Sequence, residues 1–158
     1  MSVVSTPADA ADLSLSRVAF ARISEGRLVA RGTADRLDYK RAGGRMHADR
    51  MAAQVLPQSG TGLAALGVLR LAAPKVDGEI ASHRGRAWSG VSLDAERGDT
   101  ARTDVAEYEG DTVRSHTPVA VRGPGYRIDS ATFAARTDGS VIEFSKAVTG
   151  EMEMEARR

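Results

Sequence analysis

The chain has 158 residues, of which 22 are Lys or Arg and 21 are Asp or Glu, so its formal net charge is only +1. This length suits one domain with its own core, and the balanced charge gives no electrostatic footprint for nucleic acid. The absence of cysteine excludes disulfides, zinc-thiolate sites and thiol catalysis. With 16 glycines and only 4% aromatic residues, the composition favours many short strands joined by tight turns.

The N-terminal stretch, "MSVVSTPADAADLSLSRVAF", contains no basic segment followed by an apolar run. It therefore matches neither a signal peptide nor a membrane span. We expect residues 1–16 to be a flexible N-terminal segment and residues 17–158 to form a single domain. Taken literally the chain would be cytoplasmic, unless an export or anchor segment normally precedes it.

The first half of the domain reads as short alternating strands separated by glycine turns. Breaks at Gly26, Gly32 and the pair Gly43-Gly44 each suit a hairpin. Residues 57–62, "PQSGTG", predict a long loop. The next run, "LAALGVLRLAAP", is compatible with a short helix or a strand, and its Gly, Pro and length favour the strand.

Turn signals punctuate the second half at intervals of roughly ten to fifteen residues, as expected for an all-β chain. They are "RGD", "EGD", "GPG" and "TDG", and the last two, residues 123–125 and 137–139, predict hairpins.

An internal similarity supports a repetitive sheet. Tyr39 and Tyr108 each lead through a glycine-containing turn to a basic residue and then to a histidine, His47 or His116. Repeated strand-turn-strand units must stack to bury their apolar faces. The sequence therefore predicts an elongated antiparallel β structure.

The sequence shows no catalytic motif: GxSxG, HExxH and phosphate-binding loops are all absent. His47, His83 and His116 are far apart in sequence, so we expect structural roles for them rather than a metal site. The carboxylates around the "RGD" turn, residues 97–99, are expected to be solvated charges. We predict that the chain is not an enzyme and that it uses no cofactor and no metal.

Apolar residues alternate along the strands of the second half, with charged residues such as Arg122 and Arg127 outside or at the rim. A packed sandwich core and an open cradle for acyl chains both fit this alternation, and the pattern alone favours the packed core. For the cradle, the candidate groove-lining residues are Phe20, Val91, Leu93, Val119, Val121, Ile128, Phe133, Ile142, Phe144 and Val148.

The C-terminal stretch "GEMEMEARR", residues 150–158, alternates glutamate and methionine, which is typical of a half-buried strand. Met152 and Met154 would face the interior, and Glu151 and Glu153 the outside, on an edge strand that a partner can join. Outward charges would limit indiscriminate pairing. A frayed tail is the alternative.

The chain also resembles a known family. The motifs are a "V-x-L" strand at 91–93, Tyr108 before a short turn, "S-x-x-P-V" at 115–119, "G-x-G-Y-x-I" at 123–128, an aromatic-containing strand with Phe133, and "I-x-F-x-x-x-V-x-G" at 142–150. In these features the chain is similar to the OstA-type β-jellyroll proteins of lipopolysaccharide transport, and most similar to their LptC-like periplasmic group. The resemblance runs from about Arg17 and is firmest after about Leu69.

The resemblance implies a twisted, incompletely closed β-jellyroll whose interior shields the acyl chains of lipopolysaccharide along a periplasmic bridge to the outer membrane. It implies edge-to-edge partners among neighbouring jellyrolls, and association with an inner-membrane transporter complex. LptC-like proteins carry an N-terminal anchor, and none is recognisable before Leu13. We therefore expect a removed anchor or a soluble relative. The alternative function is a β-sandwich interaction module that assembles through its edge strands without lipid.

Overall fold

The computed structural model describes residues 11–60, 62–137 and 139–154. Twelve antiparallel strands form one sheet that is not closed, with 69% strand and 5% helix, which confirms the prediction of an all-β, jellyroll-like fold. The strands are β1 (Leu13–Ser24), β2 (Arg27–Lys40), β3 (Arg45–Val55), β4 (Leu69–Glu79), β5 (Arg84–Ala95), β6 (Thr100–Glu109), β7 (Thr112–Ser115), β8 (Val119–Gly123), β9 (Tyr126–Ser130), β10 (Thr132–Arg136), β11 (Ile142–Ser145) and β12 (Thr149–Met152).

Strands β1 to β6 follow one another as antiparallel neighbours, and the sheet divides at β6. The C-terminal part of β6 pairs with β7, which continues to β10 and β11. The N-terminal part of β6 pairs with β8, which continues to β9 and β12. Strands β1, β11 and β12 therefore end the sheet.

Most of the predicted turns lie where the sequence placed them. The breaks at Gly26 and Gly43-Gly44, and the "RGD", "EGD", "GPG" and "TDG" signals, each fall between paired strands. The break predicted at Gly32 is wrong, because Gly32 lies inside β2. Its cross-strand partner is Phe20, whose ring occupies the space where a Cβ on residue 32 would stand. The glycine is needed for this close approach and not for a turn.

Two other boundaries also differ from expectation. Strand β1 begins at Leu13, inside the segment expected to be flexible, and residues 1–10 lie outside the described chain. The ambiguous run after the 57–62 loop is divided between a short 3-10 helix, Gly62–Leu66, and the start of β4. No helix in the described ranges is long and apolar enough to cross a membrane.

An irregularity crosses the sheet at the middle of every long strand. At these positions the antiparallel register is interrupted or shifted, and several non-glycine residues there have positive φ. The register shifts of β5 against β4 and β6 are bulges, which bend a strand and increase its twist. We call this line the crease; its residues are Arg17, Asp35, Arg50, Pro74, Ser89, Gly90 and Asp104.

Beyond β6 the crease becomes a complete break between strands. The run "YRIDSATF" is not one strand: β9 and β10 are separated at Ala131 and join different branches. The Ser130 Oγ lies 2.6 and 2.9 Å from the carbonyl oxygens of Thr132 and Ser145, and its one proton is shared between them. At the preceding break the buried Ser115 hydroxyl contacts Thr103 Oγ1 at 2.7 Å. These hydroxyls satisfy polar groups where the ladder stops.

Candidate functional site

The cross-strand register collects apolar side chains on one side of the sheet. Directly paired residues point to the same side. One row runs across strands β1 to β6 and continues into β8 and β9. Its residues are Phe20, Gly32, Ala53, Leu71, Leu93, Ala101, Val121 and Ile128. A second row, on the other side of the crease, contains Leu15, Leu37, Ala48, Val76, Ala87 and Ala106. We call this side the apolar face.

Most of the predicted groove-lining residues lie on the apolar face. Val91 and Val119 flank Thr103 across β6, and Phe133 pairs with both Ser115 and Phe144. Ile142 pairs with Ala135 at the edge of one branch, and the remaining strand members are in the first row above. Val148 is different: it lies in the link between β11 and β12, where it is exposed.

The terminal strand is shorter than the alternating pattern predicted. Strand β12 ends at Met152, which pairs with Tyr126 but is 77% exposed. Glu153 and Met154 lie beyond the strand, and Met154 is 87% exposed, so it does not face an interior. Glu151 does face outward, with an ion pair to Arg127 at 2.6 Å. Residues 155–158 lie outside the described chain.

The buried residues of the apolar face lie beside the crease and at the Leu69–Ala95 pair, where β4 begins and β5 ends. Ala34, Ala48 and Ala73, the apolar residues adjoining the crease in β2 to β4, are 4 to 7% exposed. Other strand ends are more exposed, with 49% at Leu13 and 52% at Ile142.

The apolar face is not sealed by its own side chains. Among the described residues, Leu69 and Val119 are the only buried apolar side chains larger than alanine. A packed sandwich of this length would bury many Leu, Ile, Val and Phe side chains completely. The small residues that recur in both rows leave space above the backbone.

The opposite side of the sheet is charged. A row with alternating sign crosses the strands between the crease and the hairpin ends: Ser14, Asp38, His47, Asp77, Arg86, Glu107 and Arg114. Oppositely charged cross-strand neighbours stabilise a sheet modestly, and they keep this side in water. We call it the charged face.

His47 contacts two carboxylates on the charged face. When protonated it donates from Nδ1 to Asp77, and from Nε2 to Asp49 Oδ1 at 3.1 Å. The hydrogen bond to Asp77 is the main cause that raises the pKa of His47. Lys75 Nζ lies 2.5 Å from Asp49 Oδ1, and this hydrogen bond lowers the pKa of the Asp49 carboxyl. The cluster ties β3 to β4.

The internal repeat does not place its two histidines equivalently. Tyr39 pairs with Met46 but Tyr108 pairs with Val113, because the second hairpin is shorter. His47 follows Met46 in β3, whereas the residue that follows Val113 is Arg114, and His116 lies past the end of β7. The tyrosines are equivalent and the histidines are not.

Two shallow grooves of 1280 and 680 Å³ have linings that come mainly from the charged face. The larger includes Asp38, His47, Asp77 and Arg86, and the smaller has small side chains beside Arg31. No group of three or more potential metal ligands occurs among the residues that the structure describes.

One carboxylate departs from the expected solvated state. Asp99 of the "RGD" turn is only 5% exposed, and its Oδ1 accepts a hydrogen bond from the Tyr126 hydroxyl at 2.9 Å. Arg97 Nε lies 3.7 Å from Asp99 Oδ2. Burial is the main cause that raises the pKa of Tyr126, followed by this hydrogen bond. The contact fastens β9, and through it β12, to the β5–β6 turn.

A scan of the chain against models of known protein families gives no match, and a search of curated proteins gives none either.

Proposed function

We propose that this chain is a non-enzymatic carrier that shields the acyl chains of lipopolysaccharide on its apolar face. In this proposal it is one component of a periplasmic bridge that exports lipopolysaccharide to the outer membrane. The observation that carries the proposal is the continuous apolar face of an unclosed sheet, whose larger side chains remain partly exposed. A soluble protein keeps such a surface at a cost unless something covers it.

The driving force would be burial of acyl methylenes. Each methylene that leaves water completely contributes about 0.8 kcal/mol. The face offers Leu, Val, Ile and Phe side chains on both sides of the crease, so several methylenes of one chain can be covered at once. No catalytic step is required for such a carrier.

The headgroup would stay in water near the charged face. Arg122 in β8 pairs with Asp129 at 3.0 Å, and Arg127 in β9 pairs with Glu151 of the edge strand β12 at 2.6 Å. An anionic headgroup that binds either guanidinium would have to exchange with these carboxylates. This exchange predicts weaker headgroup binding at high salt.

The sheet edges favour a second candidate function, a module that assembles through edge strands without lipid. Strand β1 has twelve residues and a partner strand on one side only. The shorter strand β12 also has a partner strand on one side only. Either edge can accept a strand from a neighbouring jellyroll, or from an inner-membrane transporter complex. In this reading the apolar face would be covered by a protein.

Native mass spectrometry of the protein purified from a Gram-negative host tests the proposal. Copurified lipopolysaccharide or lipid A, released and identified, is the expected result. A protein that emerges without lipid, and remains so after lipopolysaccharide is added, would favour the interaction module. In that case deletion of residues 151–158 should impair assembly.

A further inference from the structure

Two glycines on the apolar face have no explanation within the chain itself. Gly78 in β4 and Gly85 in β5 are direct cross-strand partners. Glycine weakens the interior of a strand, and it is usually found there at a bulge, at a positive φ or where another group approaches closely. Neither glycine has a positive φ, and the register on both sides of the pair is regular.

Gly32 and Gly123 on this face differ, because an aromatic ring covers each of them, whereas Gly150 in the edge strand β12 is also uncovered. A Cβ on Gly32 would collide with the Phe20 ring, and a Cβ on Gly123 would collide with the Tyr126 ring. In both cases the ring belongs to the directly opposite residue. The residue opposite Gly85 is also aromatic, Tyr108, but no atom of its ring lies within 4 Å of a Cβ built on Gly85.

The backbone at the glycine pair is consequently bare on the apolar face. A Cβ on Gly78 would find only the Arg84 carbonyl oxygen at 3.8 Å and Met46 Cε at 3.9 Å. A Cβ on Gly85 would have one close neighbour, the backbone carbonyl oxygen of Asp77 at 3.3 Å. The two glycines leave a depression in the row between Met46 and Tyr108, about 10 Å wide if adjacent strands are about 4.8 Å apart. We call it the notch.

We propose that the notch is the place where an acyl chain of the cargo lies directly against the sheet backbone. This inference rests on the proposed function. It adds that the notch is the position at which the thickness of the bound acyl chain is selected. The walls are the thioether of Met46 and the ring of Tyr108, which is 38% exposed. The neighbours of the notch on the apolar face are uncharged, because the alternating charges of β4 and β5 belong to the opposite face. A neutral, unbranched alkyl chain suits this lining, whereas a polar occupant would lose hydration there.

Filling the notch tests the inference with little risk to folding. Gly78→Leu adds a side chain whose Cβ has only ordinary contacts, and a larger residue fits a strand better than glycine does. The matched control is Ala72→Leu, which adds apolar bulk to the same strand but on the charged face. Thermal unfolding of both variants should be close to that of the parent.

The readout is the dissociation constant for lipid A with saturated acyl chains, measured for the parent and both variants. We expect Gly78→Leu to weaken binding by about tenfold, the equivalent of ~1.4 kcal/mol, and Ala72→Leu to leave it unchanged. If the parent and the Gly78→Leu variant bind lipid A equally well, the inference about the notch is overturned and the carrier proposal is left intact. A parent that binds no lipid A would overturn both. If Gly78→Leu instead changes only the self-association of the protein, the notch receives a second copy and the inference is wrong.

Discussion

Replacement of Phe144 by aspartate should abolish lipid binding while the sheet stays folded. Phe144 lies in β11 on the apolar face, and its ring packs against that of Phe133 with centroids 5.6 Å apart. The substitution places a carboxylate where the carrier proposal puts acyl methylenes. An ionised group loses its hydration when apolar surface covers it, so the cargo should avoid this position.

The cost to folding can be bounded from the position of the ring. Complete burial of a phenylalanine contributes about 1.5–3 kcal/mol, and Phe144 is only half-buried. The aromatic pair adds roughly 0.5–1.5 kcal/mol. A total loss of about 2 kcal/mol is a minority of a typical domain stability of roughly 5–15 kcal/mol. Because β11 is short and lies at the end of a branch, the loss should be felt mainly there.

Photocrosslinking of labelled lipopolysaccharide and chemical denaturation together provide the assay. We expect Phe144→Asp to lose at least about 100-fold in affinity, or ~2.8 kcal/mol, and to unfold cooperatively at a somewhat lower denaturant concentration. The matched control is Ala134→Asp, which adds a carboxylate to the neighbouring strand on the charged face and should bind normally. Unchanged crosslinking in a folded Phe144→Asp variant would refute the proposal that acyl chains lie against the apolar face at this residue.

Three further predictions concern stability. Hydrogen bonding to Asp77 raises the pKa of His47 in the folded protein. The stability that protonated His47 contributes is therefore complete below its ordinary pKa of 6.5, and it is lost as the pH rises through the raised pKa of the folded state. The unfolding temperature should therefore fall by about 2–4 °C between about pH 6 and pH 8, and not in His47→Gln; an unchanged pH dependence in that variant would contradict this role. Ser115→Ala should destabilise by about 1–3 kcal/mol in denaturant titrations, because the Thr117 backbone N–H loses the buried Ser115 Oγ that accepts its hydrogen bond. Gly32→Val should destabilise more than Phe20→Ala in the same titration, since the ring and the backbone leave no room for the added side chain; the reverse order would mean that the ring moves aside easily.

The turns and the alternation along the strands were predictable from the sequence because both are local. The "GPG" and "TDG" hairpins follow from residues that favour tight turns, and the pairing of Phe133 with Phe144 agrees with period-two alternation. Gly32 was misread because glycine can serve close packing as well as turning, and its packing partner lies twelve residues away in the chain.

The crease has a signal in the sequence that is separate from the repeat of tyrosine, turn and histidine. Three strands carry a similar four-residue motif in which apolar residues are three positions apart instead of two: "ADRL" at 34–37, "ADRM" at 48–51 and "APKV" at 73–76. A spacing of three positions at the crease keeps the apolar residues of both halves of a strand on the same face. Its repetition in consecutive strands predicts a bend that crosses the whole sheet.

The openness of the apolar face could not have been predicted from alternation. A filled core and an open groove use the same pattern, and they differ in how much volume the inward residues occupy. The deciding residues are small ones such as Ala48, Ala53 and Gly78, whose neighbours on the adjacent strands depend on the register of several hairpins. The buried state of Asp99 likewise depends on Tyr126, which is distant in sequence.

The most direct test of the account compares two adjacent residues on opposite faces of β9. Ile128 is on the apolar face and Asp129 on the charged face, where it pairs with Arg122. A photoreactive amino acid at either position, followed by irradiation with labelled lipopolysaccharide, reports which side of the sheet the acyl chains contact. Crosslinking at 128 and not at 129 is the predicted result. Equal crosslinking at both positions, or crosslinking at 129 alone, would contradict a carrier that holds acyl chains on its apolar face.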